Sequence, residues 1–218
     1  MTQKIALVTG ASRGLGSALA EQLALRGWHV VAVARTVGGL EDLDDRVMRA
    51  GLPGAGALTL APMDVANDDA MRHLCRSIHD RWGGLDLWVH AAIHAAPLAP
   101  SGHIDQKDWE KSIATNTRAT GMLIPMIEPL LHAHDGAALF LDDPRAGQPF
   151  FGSYGATKAA QMALARSWQA ETAKHGPRVV IAEPSGLPTA TRARFFPGED
   201  RSKLADLQTE AARILDSL

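Results

Sequence analysis

"KIALVTGASRGLG", Lys4–Gly16, decides the fold. Its first half is a short apolar run with β-branched residues, which predicts a buried strand. Its second half spaces Gly10, Gly14 and Gly16 as Gly-x-x-x-Gly-x-Gly, and "LGSALAEQLALR" then runs with helical periodicity to Gly27. Strand, glycine turn and helix in that order make a cradle for a pyrophosphate. The glycines let the backbone come close, and the helix offers free N–H groups and a positive dipole end. The same spacing alone fits an ordinary tight turn; its place between strand and helix is what points to phosphate.

Downstream, strands and helices alternate. "WHVVAVAR", "ALTLAPMDV", "LDLWVHAA", "GAALFLDD" and "RVVIAEP" read as five further strands. Between them lie helical patterns at 38–51, 67–84, 106–132 and 152–175, and a last one at 200–217; Asn67 is placed to cap the second of these. This alternation predicts an α/β fold: a doubly wound, Rossmann-type parallel sheet of six strands, helices on both faces, in one domain over 1–218. Ligand binds such a sheet at the carboxyl ends of its strands.

The bulk numbers narrow the partners. Of 218 residues, 46% are hydrophobic, enough for a substantial core, and the net charge of −2 gives no basis for a nucleic-acid or anionic-membrane partner. No apolar run reaches the ~20 residues of a membrane span. A lone cysteine, Cys75, and no signal-peptide pattern fit a reducing cytoplasm.

The nucleotide is read at the end of the second strand. An acid there holds the ribose of NAD, but this chain has Ala34-Arg35-Thr36, with Arg13 inside the glycine turn. Two guanidiniums near the ribose suit a 2′-phosphate, so NADP is expected over NAD.

Several ordered motifs resemble the short-chain dehydrogenase/reductase family over residues 4 to about 190. They are "TGASRGLG", "MDV", "LDLWVHAAIHAAP", "DWEKSIATNTRATGML", "YGATKAAQMALARSWQAE" and "EPSGLPT". The resemblance implies nucleotide contacts from Gly10, Ser12, Arg13, Gly14, Leu15, Gly16, Arg35, Asp64, Val65, Ala91, Ala92, Pro184, Leu187 and Thr189. It implies a catalytic Tyr154, with Lys158 on the nicotinamide ribose and Asn116 fixing a water that links the lysine to solvent. It also implies a homodimer through the helices 106–132 and 152–175. "AAQMALARSWQA" supports that pairing, because Met162, Leu164 and Trp168 beside alanines suggest a helix apolar on two sides.

Tyr154 and Lys158 make physical sense unaided. Four residues apart on a helix, they share a face. An ammonium nearby lowers a phenol that otherwise titrates near ~10, so Tyr154 is expected to exchange a proton with a carbonyl or alcohol oxygen.

The chain departs from the family pattern in places. His90-Ala91-Ala92-Ile93 stands where an Asn-Asn-Ala-Gly segment is usual, and Pro184-Ser185 where Pro-Gly is. The largest departure lies in "FLDDPRAG": counting from the strand puts Asp143 in the place of the family's serine, whereas counting back from Gly147 points to Pro144. An ionised Asp143 donates nothing to a developing alkoxide and repels it. It is compatible with catalysis if protonated beside Asp142, if turned outward to Arg145, or if the substrate brings a positive charge such as an iminium. Two readings therefore stay open: an NADP-dependent oxidoreductase acting on a small carbonyl, hydroxy or imine substrate, or a degenerate protein that binds NADP without turnover.

Other residues have plainer readings. His132 and His134 lack a third metal ligand in view. His94 lies where the substrate pocket of the family begins. "TRARFFPGEDR", with Arg192, Arg194, Phe195 and Phe196, is either a lid over 190–200 or an exposed connector.

Overall fold

The computed structural model describes residues 3–218. Six parallel strands form one sheet in the order β3-β2-β1-β4-β5-β6: β1 Ile5–Thr9, β2 His29–Ala34, β3 Leu58–Pro62, β4 Leu87–His90, β5 Ala137–Leu141 and β6 Arg178–Ala182. The helices are α1 Gly14–Leu25, α2 Val37–Ala50, α3 Asp68–Trp82, α4 Gln106–Ser112, α5 Ala119–His132, α6 Gly152–Thr172, α7 Ala190–Phe195 and α8 Leu207–Asp216. This is the single-domain α/β fold that the alternation predicts.

Alternate residues of β1 explain why its whole run is apolar. Ile5 and Leu7 pack with Met71 and Ile78 of α3, Leu123 and Ile127 of α5, and Met162 and Trp168 of α6. Ala6 and Val8 pack on the other face with Leu15 and Leu19 of α1, Leu40 and Leu43 of α2, and Ile214 of α8. A strand buried on both faces carries no polar alternation. At roughly 25 cal/mol per Å², these two layers supply the main driving force for the fold.

The order of strands reverses between β1 and β4, which pair in parallel with Thr9 opposite His90. Connections leave in opposite directions there, and a crevice opens at the carboxyl ends.

Three boundaries differ from expectation. The helix expected over 106–132 is interrupted by a π-helical turn at Ile113–Arg118. The helix expected from 200 starts at Leu207, because Asp206 caps it by accepting from Thr209 N, while Asp200 caps a separate 3₁₀ turn at Arg201–Lys203. The stretch after Thr189, expected as a loop, forms α7, with the Thr189 hydroxyl accepting from Arg192 N at 3.1 Å. Asn67 caps α3 as read, accepting from Ala70 N at 3.1 Å.

Candidate active site

The crevice is a cavity of about 740 Å³, and every residue named above as a nucleotide contact lines it. Its floor is backbone against backbone. A Cβ on Gly10, whose φ is +87°, would lie 2.6 Å from the carbonyl carbon of Ala91, and one on Gly16 would lie 2.4 Å from the Gly10 oxygen. Only glycine fits at either position, so the turn reaches the head of α1 with its N–H groups uncovered. This cradle fits a pyrophosphate. Arg13 stands exposed at its rim. Arg35 Nη1 lies 3.8 Å from Asp64 Oδ2, a loose and largely solvated pair. Such a pair contributes little, so the guanidinium is available to a phosphate.

The other end of the cavity is organised by Asp143. Of the two residues that the counts give, Asp143 is the one that meets the tyrosine: Tyr154 Oη donates to Asp143 Oδ2 at 3.0 Å. The second oxygen, Oδ1, lies 2.8 Å from Arg145 Nε. That nitrogen is buried, and its N–H axis misses the carboxylate, so the contact is an ion pair without an aligned hydrogen bond. The aspartate therefore does not turn outward to Arg145 in place of Tyr154; it bridges the two. Nor do the carboxyl groups of Asp142 and Asp143 bond to each other. Asp142 Oδ2 takes Arg166 Nη2 at 2.8 Å, and its Oδ1 accepts the Asp143 N–H at 2.8 Å.

This arrangement reverses the expected shift of the tyrosine. Burial raises the Tyr154 phenol well above its ordinary value, and the charge and hydrogen bond of Asp143 raise it further, with Arg145 pulling weakly the other way. Lys158 does not offset them. Its Nζ donates instead to Gln161 Oε1 at 2.7 Å, and burial brings the ammonium down to about 8 despite Asp142 and Asp143. Tyr154 thus stays a neutral proton donor, but its proton is directed at a carboxylate.

Asn116 is not in the cavity wall. It is fully buried, its Oδ1 accepts the His94 N–H at 2.7 Å, and its Nδ2 donates to His94 O and to Thr157 Oγ1, both at 2.9 Å. The side chain staples the segment after β4 to α6. His94 is satisfied by the same contacts, with its ring 3.4 Å from Asp108.

Over Tyr154 sits an aromatic cluster. Phe195 of α7 is buried, with its ring centroid 4.8 Å from that of Tyr154 and 5.0 Å from that of Phe151. The Arg145 guanidinium lies 5.7 Å from the Phe151 ring centroid and 5.4 Å from that of Phe196. Arg192 pairs through two nitrogens with Glu199, and Arg194 Nη1 donates to Ala95 O at 2.6 Å. The segment 190–200 is therefore anchored at several points and is not an exposed connector.

Among the described residues no group of three His, Cys, Asp or Glu is placed to hold a metal. His134 lies 3.4 Å from Asp86, and His132 lies 3.9 Å from Glu128. No helix among the described residues is long and apolar enough to cross a membrane.

Sequence reasoning missed Gly155, Thr120 and Gln161. A Cβ on Gly155 would lie 2.7 Å from Arg145 O, so this glycine lets the loop carrying Asp143 settle on α6. A signal existed for Gln161: three residues after Lys158, it shares that face of the helix.

A sheet of this order, with a glycine turn at its switch point, defines the class as Rossmann-type α/β proteins, whose crevice suits a nucleotide. The particular family follows from direct comparison. The chain belongs to the short-chain dehydrogenase family, whose model matches residues 4–200. It is 28% identical over 223 residues to an uncharacterized oxidoreductase of Staphylococcus aureus strain MW2, covering 100% of this chain and 92% of that protein. It is 28% identical over 158 residues to an NADP-dependent 3-hydroxy acid dehydrogenase of Shigella flexneri, covering 71% of this chain and 61% of that one. A solved short chain dehydrogenase from Salmonella enterica serovar Typhi superposes with a TM-score of 0.86 at 26% identity, covering 99% of this chain and 88% of the other.

Proposed function

We propose that this protein is an NADP-dependent reductase whose acceptor carries a positive charge at the reacting carbon–nitrogen bond, an iminium, in preference to a plain ketone. One observation carries the reading: the Tyr154 hydroxyl donates to Asp143 at 3.0 Å, where the family places a serine. Reduced nicotinamide, when bound, supplies a hydride. Gly10, Ser12, Arg13, Gly14, Leu15 and Gly16 would hold its pyrophosphate side, Arg35, Asp64 and Val65 the adenosine side, and Ala91, Ala92, Lys158, Pro184, Leu187 and Thr189 the nicotinamide side.

A ketone reduced at this site needs a proton on its oxygen, and Tyr154 has given its hydrogen bond elsewhere. An iminium needs none. Its carbon would take up that hydride and its π electrons would pass to nitrogen, so the product would be a neutral amine with no proton drawn from Tyr154. Asp143 favours the charged acceptor by Coulomb attraction, ~4 kcal/mol for a full charge at 4 Å and an effective dielectric near 20, less the part that Arg145, 2.8 Å from the carboxylate, offsets. The anchored segment 190–200 serves as the lid, with Phe195 excluding water above Tyr154.

The test follows NADPH oxidation with cyclic imines against ketones of matching size. Turnover of imines well above ketones supports the reading; the opposite order overturns it. The same contact also fits a nucleotide-binding protein without turnover, since Tyr154 is 5% exposed and already bonded. Tight NADPH binding with no turnover of either series would establish that alternative.

NADP preference has its own expected outcome. Charge-assisted bonds from Arg13 and Arg35 exist only with a 2′-phosphate. Arg35→Asp is expected to weaken NADPH by about ten- to a hundredfold, at roughly 1.5–3 kcal/mol per such bond, and to leave NADH little changed. Nucleotide fluorescence titration measures it; equal native affinity for both nucleotides would sink the NADP assignment.

The dimer remains part of this reading on altered grounds. Met162 and Trp168 are buried in the chain's own core, so they do not face a partner. Outward from α6 stand Ala156, Ala159 and Ala163, small enough for two copies to approach along α5 and α6. Sedimentation at micromolar concentration checks it, and a monomeric mass refutes it. Cys75 is buried, its thiol pushed up to about 11, which fits a reduced thiol in the cytoplasm.

A further inference from the structure

We propose that Gln161 is the positioning residue for Lys158, held in place by a buried polar chain through Thr120 to His90 and Thr9. This inference rests on the role given to Lys158 above. Among the described residues, Gln161 Oε1 is the one hydrogen-bond acceptor of the Lys158 ammonium, at 2.7 Å, and both side chains are buried. An ammonium only donates, so Gln161 must present its oxygen to the lysine and its amide N–H to the other side. There Gln161 Nε2 donates to Thr120 Oγ1 at 3.1 Å.

Thr120 is fully buried, and its hydroxyl lies 3.0 Å from Asn116 O and 3.0 Å from His90 Nε2. His90 Nδ1 lies 2.8 Å from Thr9 Oγ1, across the β1–β4 pair. Thr120 has a single proton. When it goes to Asn116 O in the π-helical turn, His90 donates from Nε2 and accepts at Nδ1 from Thr9. When it goes to His90 Nε2, the imidazole carries its proton on Nδ1, and Thr9 passes its own to Val89 O, 3.2 Å away. Both arrangements leave Thr120 accepting from Gln161, so the glutamine keeps one orientation in either. The chain thus ties the ammonium to the switch point of the sheet with protein groups.

The groups facing Lys158 are few. Asp142 and Asp143, beyond β5, hold its proton on. His90, from β4, is pushed down to about 3 by burial and is neutral at working pH. Tyr154, one turn back on α6, stays neutral as well. Removing the Gln161 dipole therefore leaves burial with less opposition, and a carboxylate in its place adds to the two aspartates.

The experiment is a pH titration of the protein without nucleotide, labelled with ¹³C at lysine Cε, with the Lys158 resonance identified by its loss in Lys158→Arg. Gln161→Leu is expected to move the Lys158 midpoint down by about one pH unit, a tenfold change in proton affinity, and Gln161→Glu to move it up by about as much. Thr120→Val is expected to move it in the direction of Gln161→Leu by less. Gln161→Glu keeps the side-chain shape, so it reports even where Gln161→Leu does not fold. Midpoints unchanged in Gln161→Glu and Thr120→Val would overturn the proposal. Nucleotide titrations on the same variants separate the two claims: shifted midpoints with no NADPH binding by the native protein would sink the reductase reading and leave this one standing.

Discussion

Asp143→Ser is expected to raise NADPH-dependent turnover of simple ketones by about 10²–10³-fold over the native protein, the usual effect of one oxyanion donor. Two contributions add. The substitution supplies a hydroxyl donor at the carbonyl oxygen. It also removes the carboxylate that accepts the Tyr154 proton at 3.0 Å, so the phenol is free to turn to substrate. With that carboxylate gone, two of the causes that raise the phenol are lost as well, leaving burial as the main one.

The same substitution is expected to lower imine turnover by at least about tenfold, since the attraction of Asp143 for a charged acceptor disappears and 1.36 kcal/mol is tenfold in rate. Tyr154→Phe, added to Asp143→Ser, is expected to return ketone turnover to background, while Tyr154→Phe alone leaves imine turnover largely intact. Steady-state kcat/KM on both series for the native protein and these variants measures all of this. Brisk native ketone reduction that Asp143→Ser leaves unchanged would show that the aspartate does not stand in the way of the chemistry.

The sequence announces these features unequally, for physical reasons. The strands are legible because both faces of the central sheet are covered, so strands such as β1 are buried along their whole length and almost wholly apolar. The glycine turn is legible because backbone contact at Gly10 and Gly16 excludes every other residue. Asp143 is half legible: the strand places it, but the turn through Pro144 and Gly147 permits two counts. The direction of the Tyr154 shift is not legible at all. It is set first by how deeply the phenol is buried and then by Asp143 reaching it where Lys158 does not, which follows from Gly155 admitting the loop against α6 and from Gln161 drawing the ammonium away. Gln161 itself reads as one more polar residue on a helix until Thr120, on another helix, is brought to within 3.1 Å. Contacts between elements decide the chemistry here, and periodicity reports only the elements.

Lys158 also gives the fold a pH dependence of definite sign. Its ammonium is held at about 8 when folded, against 10.5 for the exposed side chain, because burial disfavours the charge. Between these values the unfolded chain binds more protons than the folded one, so this group makes stability rise with pH across that window. Below about 8 the lysine is charged in both states, and the penalty is fully present; a difference of this size corresponds to ~3 kcal/mol. Tyr154 and Cys75, both raised by burial, act in the opposite direction as pH climbs further. They are unchanged by substitution at position 158, so the difference between two proteins isolates the lysine. The variant to use is Lys158→Met with Gln161→Leu, because Lys158→Met alone strands the Gln161 oxygen, at about 1–3 kcal/mol. At pH 7 the double variant is expected to be more stable than the native protein by about 1–3 kcal/mol, or roughly 2–12 °C in Tm for a domain of this size. Its advantage is expected to shrink as pH rises from 8 towards 10, since the native protein recovers there and the variant has no lysine to titrate. Urea denaturation at pH 7 and at about pH 9.5 measures both quantities. A double variant no more stable than the native protein at pH 7, with a constant difference between them, would show that the buried ammonium is not strained, and that the fold has no stability to regain by giving up this buried lysine.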